Sequence, residues 1–162
     1  VVSSHQSIFE TFFLQTIFEN PVFILKKELI KIPLFGWYLK KMSCISIDRN
    51  KISKENLNFS DEVSKVIKNT NKTLIIFPQG TRKNFDDRST FKKGFARIYN
   101  DLQIACLPVA INSGKVWPKN GWLISNQHIT VSILNILPPG KEQNKFATEA
   151  EKVIYKELDK IS

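Results

Sequence analysis

Thr73 to Phe77 reads Thr-Leu-Ile-Ile-Phe, an uninterrupted apolar run that Pro78 and Gly80 stop at once. Such a run has no polar face to turn to water, so as a strand it is buried on both sides, which suits the centre of a sheet covered by helices. The flanking sequence supplies that cover. Phe59, Val63, Val66 and Ile67 repeat at helical spacing before a turn over Asn69 to Lys72, and Phe146, Ala150, Val153, Ile154, Leu158 and Ile161 line one face of a closing amphipathic helix.

The same alternation runs through the rest of the chain. Val1-Val2 reads as the end of a strand, and Ser7-x-x-Glu10 opens a helix with a capping box. Pro21 to Leu25 reads as a strand, Ile32 to Met42 as a short helix opened by Pro33, and Cys44 to Asp48 as a third strand. A polar loop follows Pro78 as far as Lys93, then a helix over Gly94 to Leu102 and a strand over Cys106 to Ile111. A Gly/Trp/Pro-rich loop extends through Trp122, and Ile129 to Leu137 is a further strand. The pattern predicts an α/β fold with a mixed, largely parallel sheet flanked by helices. With 162 residues and 42% hydrophobic content, residues 1–162 are expected to form one catalytic domain. The chain begins at Val1 inside an apolar stretch, which points to a missing N-terminal segment.

Composition narrows the function. Glu10, Gln15, Glu19, Lys26 and Lys27 interrupt the Phe-rich first third, so no stretch approaches the about 18 apolar residues of a membrane span, and no signal peptide is evident. Cys44, Cys106, His5 and His128 lie far apart in sequence, against a metal site, and the cysteines read as buried thiols. The net charge of +9 favours an anionic partner: nucleic acid, lipid headgroups or a phosphorylated substrate. Gly114-Lys115 and Gly140-Lys141 lack the remaining residues of a nucleotide-binding loop.

Two clusters lie where ligands gather, at the carboxyl ends of strands. In His5-Gln6-Ser7-Ile8-Phe9-Glu10 the carboxylate, in the first turn of a helix, can reach back to the imidazole just before it. That arrangement makes a base with an orienting partner, although Glu10 also has an ordinary role as the capping-box partner of Ser7. Phe77 to Arg82 is a strand exit whose glycine permits close backbone approach and whose Thr81 and Arg82 can bind phosphate oxygens.

Taken in order, His5 to Glu10, Ile45 to Arg49, Phe77 to Arg82 and Leu107 to Ile111 resemble the motif blocks of the glycerolipid acyltransferase family, and Phe91 to Gly94 matches a further Phe-Lys-x-Gly stretch. The resemblance covers Val1 to about Ile136. It departs from the usual pattern at Glu10, where aspartate is commoner, and at Gln79, where glutamate is usual. The His-Gln-Ser-x-x-Glu-Thr form resembles a bacterial branch.

The resemblance implies transfer of a fatty acyl group from acyl-CoA or acyl-carrier protein to the sn-2 hydroxyl of 1-acylglycerol-3-phosphate. His5 would be the general base and Glu10 its orienting partner. Arg49, Arg82 and Lys92 would hold the acceptor phosphate with Thr81 beside them, and backbone N–H groups around Gly80 would face the oxyanion. Phe77, Pro78, Gln79, Gly80, Pro108 and Val109 would complete the substrate site, with Pro108 and Val109 shaping an acyl pocket. No metal or cofactor beyond the acyl thioester is implied. The expected partners are the thioester donor, the lysophospholipid acceptor and an anionic membrane surface, not nucleic acid. The expected location is the cytoplasmic face of a membrane, held peripherally or through a segment absent here. Competing readings are another lysolipid acceptor, a Ser7 hydrolase or thioesterase, and a basic non-enzymatic binding module; Ser7, flanked by Gln6 and Ile8, lacks the glycines of an activated serine turn.

Overall fold

A computed structural model of the chain describes residues 1–42, 44–47, 59–68 and 71–162. They group into two compact units, Phe18–Ile75 and the combination of Val1–Ile17 with Ile76–Ser162.

In the first of these units, β2 (Pro21–Lys26) lies between β3 (Ile45–Ile47) and β4 (Thr73–Ile75), parallel to both. Val22, Phe23, Leu25, Leu74 and Ile75 are all buried, as an apolar central strand requires. A 3₁₀ turn over Lys27–Lys31 leads to α2 (Phe35–Lys41), and α3 (Phe59–Lys68) precedes β4. Here α2 starts later than Pro33 because Leu34 takes a φ of +64°, which a right-handed helix cannot include. Gly36 is needed at that junction: a Cβ there would lie 1.8 Å from the Ile30 carbonyl oxygen.

The other unit carries β1 (Val2–Ser3), α1 (Phe9–Ile17), α4 (Gly94–Leu102), β5 (Pro108–Ile111), α5 (Ser113–Val116), β6 (Val131–Ile133) and α6 (Gln143–Lys160). Its sheet has the order β1-β5-β6, with β1 parallel to β5 and β6 antiparallel to it. Ile76 makes an isolated parallel bridge to Val2, so the apolar run from Thr73 divides its pairing between β2 and the start of the chain. The sheets are thus mixed and largely parallel, as the alternation of elements predicts.

The core of this unit lies between the sheet and two helices. Phe146, Ala150, Ile154 and Leu158 form the fully buried column of α6, which packs on β5 and α4. Tyr99 of α4 stacks on Phe146 at 3.6 Å between ring centroids. Glu142 caps α6 by accepting from the amides of Asn144 at 2.9 Å and Lys145 at 3.0 Å. The short helix α5 falls inside the segment read as loop, and it brings Ser113 and Gly114 against residues that follow β1. Among the described residues, no helix is long and apolar enough to cross a membrane.

Candidate active site

His5 lies two residues past the end of β1 and Glu10 sits in the first turn of α1, so a strand end and a helix start hold the two side chains. Their separation is 3.2 Å, from His5 Nδ1 to Glu10 Oε1. The same Oε1 accepts from the amide of Ser7 at 2.8 Å and from that of Gln6. Oε2 accepts from the Ser113 hydroxyl at 2.7 Å. Glu10 is 0% exposed, and a carboxylate out of water is tolerable only when donors surround it in this way. Sequence alone left two roles open for Glu10, capping and orienting. The carboxylate oxygen that caps the helix start also meets His5 Nδ1, because that helix start presents His5.

The rest of the environment fixes the imidazole from the other side. The His5 ring stacks on Phe77 with centroids 4.1 Å apart and planes 14° from parallel. The backbone N–H of His5 donates to Gln79 Oε1 at 2.6 Å, and its carbonyl accepts from the Lys83 amide at 2.8 Å. Phe77 and Gln79, expected beside the substrate, therefore contact His5 directly. Ser7 is buried, and its hydroxyl accepts from the Phe9 amide at 3.3 Å, which is a capping role and not that of an activated nucleophile.

Phe77 to Gly80 forms a tight turn closed by the Gly80 N–H donating to the Phe77 carbonyl at 3.0 Å. Gly80 takes a φ of +73°, a backbone state that glycine reaches without strain. This turn uses the N–H of Gly80 itself. Thr81 is exposed and Arg82 half-buried immediately after the turn. The Lys92 amide donates to the Pro78 carbonyl at 2.9 Å, which ties the Phe-Lys-Lys-Gly stretch to the turn, and the Lys92 side chain is exposed. Thr81, Arg82 and Lys92 thus come from two sequence blocks joined at Pro78.

Pro108 and Val109 pair with Val2 and Ser3 and are fully buried in β5. They set the height of β1, and hence of His5, within the sheet. Arg49 lies outside the described residues.

Two contributors were not evident from sequence. Ser113 is wholly buried and completes the donors around Glu10, and Gln6 accepts from the Gly114 amide at 2.9 Å through its side chain. A Cβ on Gly114 would lie 2.9 Å from Gln6 Oε1, so this glycine serves close approach. The only sequence cue was position, at the end of the buried strand that pairs with β1.

A family model described as Acyltransferase matches residues 1–112. The 1-acyl-sn-glycerol-3-phosphate acyltransferase of Pseudomonas aeruginosa is 35% identical over 122 residues, which is 75% of this chain and 47% of that protein. The protein of the same name from Helicobacter pylori is 34% identical over 120 residues, 72% of this chain and 50% of its own length. Among solved structures, the 1-acyl-sn-glycerophosphate (LPA) acyltransferase PlsC of Thermotoga maritima superposes with a TM-score of 0.80 at 24% identity, covering 99% of this chain and 64% of that one. That likeness shows the fold. The chain spans about half the length of the curated relatives it matches.

Proposed function

Because this chain belongs to the acyltransferase family, we propose that it moves a fatty acyl group from acyl-CoA or acyl-carrier protein to the sn-2 hydroxyl of 1-acylglycerol-3-phosphate, giving phosphatidate. The observation that carries this reading is the His5–Glu10 pair at a strand end, its carboxylate saturated by backbone amides and Ser113. The activity for which the Pseudomonas and Helicobacter relatives are named favours the lysophosphatidate acceptor over other lysolipids.

In this mechanism Glu10 engages Nδ1, so Nε2 is the nitrogen that takes the proton of the acceptor hydroxyl. The hydroxyl oxygen attacks the thioester carbonyl carbon, the carbon–sulfur bond breaks, and the imidazolium returns its proton to the departing thiolate. Glu10 stabilises the imidazolium while it lasts. With both substrates bound together, no acyl-enzyme is needed, and the step asks for no cofactor beyond the thioester. Arg82 and Lys92, with Thr81 beside them, bind the acceptor phosphate; guanidinium suits a bidentate phosphate contact. The proposed setting is an anionic membrane surface on the cytoplasmic side, where Phe12, 51% exposed on α1, is available to meet lipid.

Thiol release from acyl-CoA and from acyl-carrier protein, each with and without 1-acylglycerol-3-phosphate, tests the reading. Release should depend on the acceptor and match phosphatidate formed. Acceptor-independent release would identify a hydrolase instead.

A further inference from the structure

The Gly/Trp/Pro-rich segment that follows β5 takes no part in the chemistry proposed above, yet its root is fastened to the candidate site. There the Ser113 hydroxyl donates to Glu10 Oε2 at 2.7 Å and the Gly114 amide donates to Gln6 Oε1 at 2.9 Å. Beyond α5 the chain leaves and returns. The Ile124 amide donates to the carbonyl of the buried Val116 at 2.7 Å, which closes a loop over residues 116–124. Inside it the Gly121 amide donates to the Pro118 carbonyl at 3.4 Å, and a Cβ on Gly121 would lie 2.7 Å from Pro118 Cγ. The turn ahead of Trp122 therefore needs a glycine.

This defined loop holds apolar side chains out in water. Trp122 is 92% exposed, Leu123 65% and Ile124 47%. Three adjacent apolar residues at a loop tip differ from the scattered single ones that any protein surface carries. The charge along the segment has one sign: between Asp101 and Glu142 the sequence holds no acidic residue, while Lys115 and Lys119 stand at the start of the loop. Together with Lys83 and Asp86, these two lysines line a cavity of about 370 Å³; Lys83 is itself paired with Asp87 at 3.1 Å. A stable protein interface takes about 800 Å² from each partner, more than three side chains at a tip supply. A bilayer interface asks only for a few apolar side chains at a depth of about 5–10 Å with cations at the headgroups. Tryptophan suits that boundary, because its ring is apolar and its N–H polar.

We propose that loop 116–124 docks the protein on an anionic bilayer, with Trp122, Leu123 and Ile124 entering the boundary between headgroups and acyl chains and Lys115 and Lys119 meeting lipid phosphates. The bonds at the root of the loop then hold His5 and Glu10 beside the surface in which a lysophospholipid acceptor sits. That consequence rests on the acceptor proposed above, whereas docking can be scored without turnover.

Co-sedimentation of the 162-residue chain with vesicles measures docking directly. Wild type should bind vesicles of phosphatidylglycerol and phosphatidylcholine more tightly than vesicles of phosphatidylcholine alone. Trp122→Ser with Leu123→Ser changes exposed positions, leaves the core intact, and should weaken partitioning by about tenfold or more. Lys115→Gln with Lys119→Gln should weaken it on anionic vesicles only, by about fivefold for each lysine. With Trp37→Phe and Trp117→Phe, Trp122 is the one tryptophan left, and its emission should shift to the blue on anionic vesicles and be quenched by brominated acyl chains. The Trp122→Ser/Leu123→Ser enzyme should lose activity on vesicle-borne 1-acylglycerol-3-phosphate and stay within about twofold of wild type on a short-chain acceptor dissolved as monomers. Unchanged partitioning in either pair of substitutions, Trp122 emission indifferent to vesicles, or a dimer that Trp122→Ser dissolves would each overturn the proposal, the last by giving the tip to a second copy. Equal losses on vesicle-borne and dissolved acceptor would overturn it too, by making the loop part of the substrate site. If wild type docks through the loop but acylates no acceptor, the reading of function fails and the docking stands.

Discussion

Glu10→Gln separates the two things that Glu10 provides, hydrogen bonds and charge. The amide oxygen can take the place of Oε1, accepting from Gln6, Ser7 and His5 Nδ1, while the amide nitrogen faces the Ser113 hydroxyl, which can accept as readily as donate. Helix start and imidazole orientation are then retained, and only the charge is lost. At the 3.2 Å separation, a unit charge pair at an effective dielectric of about 20 is worth roughly 5 kcal/mol. The amide dipole keeps part of that, and the imidazole is only partly charged at the transition state. The expected loss is therefore about 3–4 kcal/mol, or roughly 10²- to 10³-fold in kcat. Glu10→Ala, by contrast, leaves the amides of Gln6 and Ser7 and the Ser113 hydroxyl without their acceptor, at about 1–3 kcal/mol for each buried donor, and should lower Tm sharply. The assay is steady-state acyl transfer with both substrates saturating, paired with thermal unfolding. A Glu10→Gln enzyme within a few-fold of wild type would refute the charge argument, and a Tm as low as that of Glu10→Ala would refute the claim that the amide replaces the hydrogen bonds.

His5→Ala should lower turnover by roughly 10²- to 10⁴-fold with the fold intact by circular dichroism; activity near wild type would remove His5 as the base. Arg82→Lys replaces a planar bidentate donor by a point charge and should raise the acceptor KM; a change in the donor KM alone would assign the phosphate to coenzyme A. Burial pushes the Cys106 thiol from 9.0 to about 11. Its unfolded form therefore ionises first as pH rises, and its contribution to stability, complete below 9.0, is lost on the way to about 11. Unfolding midpoints of wild type relative to Cys106→Ala should hold a constant difference below that window and shift against wild type within it; a constant difference throughout would contradict the burial argument.

Much of this protein was written locally. Gly94–Leu102 and the apolar column of α6 follow from helical periodicity, and the His5–Glu10 pair follows from the geometry of one helix start, because those residues are neighbours in the chain. The Leu34 backbone state was not readable, since a left-handed leucine has no propensity signal and arises from how the chain must turn between Lys31 and Phe35.

What sequence by itself determined is therefore the order of the elements and the pairing of His5 with Glu10, both set by short-range spacing. Tertiary structure alone decided who serves them. Ser113 reaches Glu10 across 103 residues and Gln79 reaches His5 across 74. The parallel pairing of β1 with β5 and the bridge from Val2 to Ile76 carry them there. A serine in Ser-Gly-Lys-Val has no pattern that announces such a partner. The turn after Phe77 closes on its own backbone, and the Gln79 side-chain oxygen accepts from His5. The reason is physical: a side chain's hydrogen-bond capacity is set by its chemistry, but its partner is chosen by which strands lie side by side.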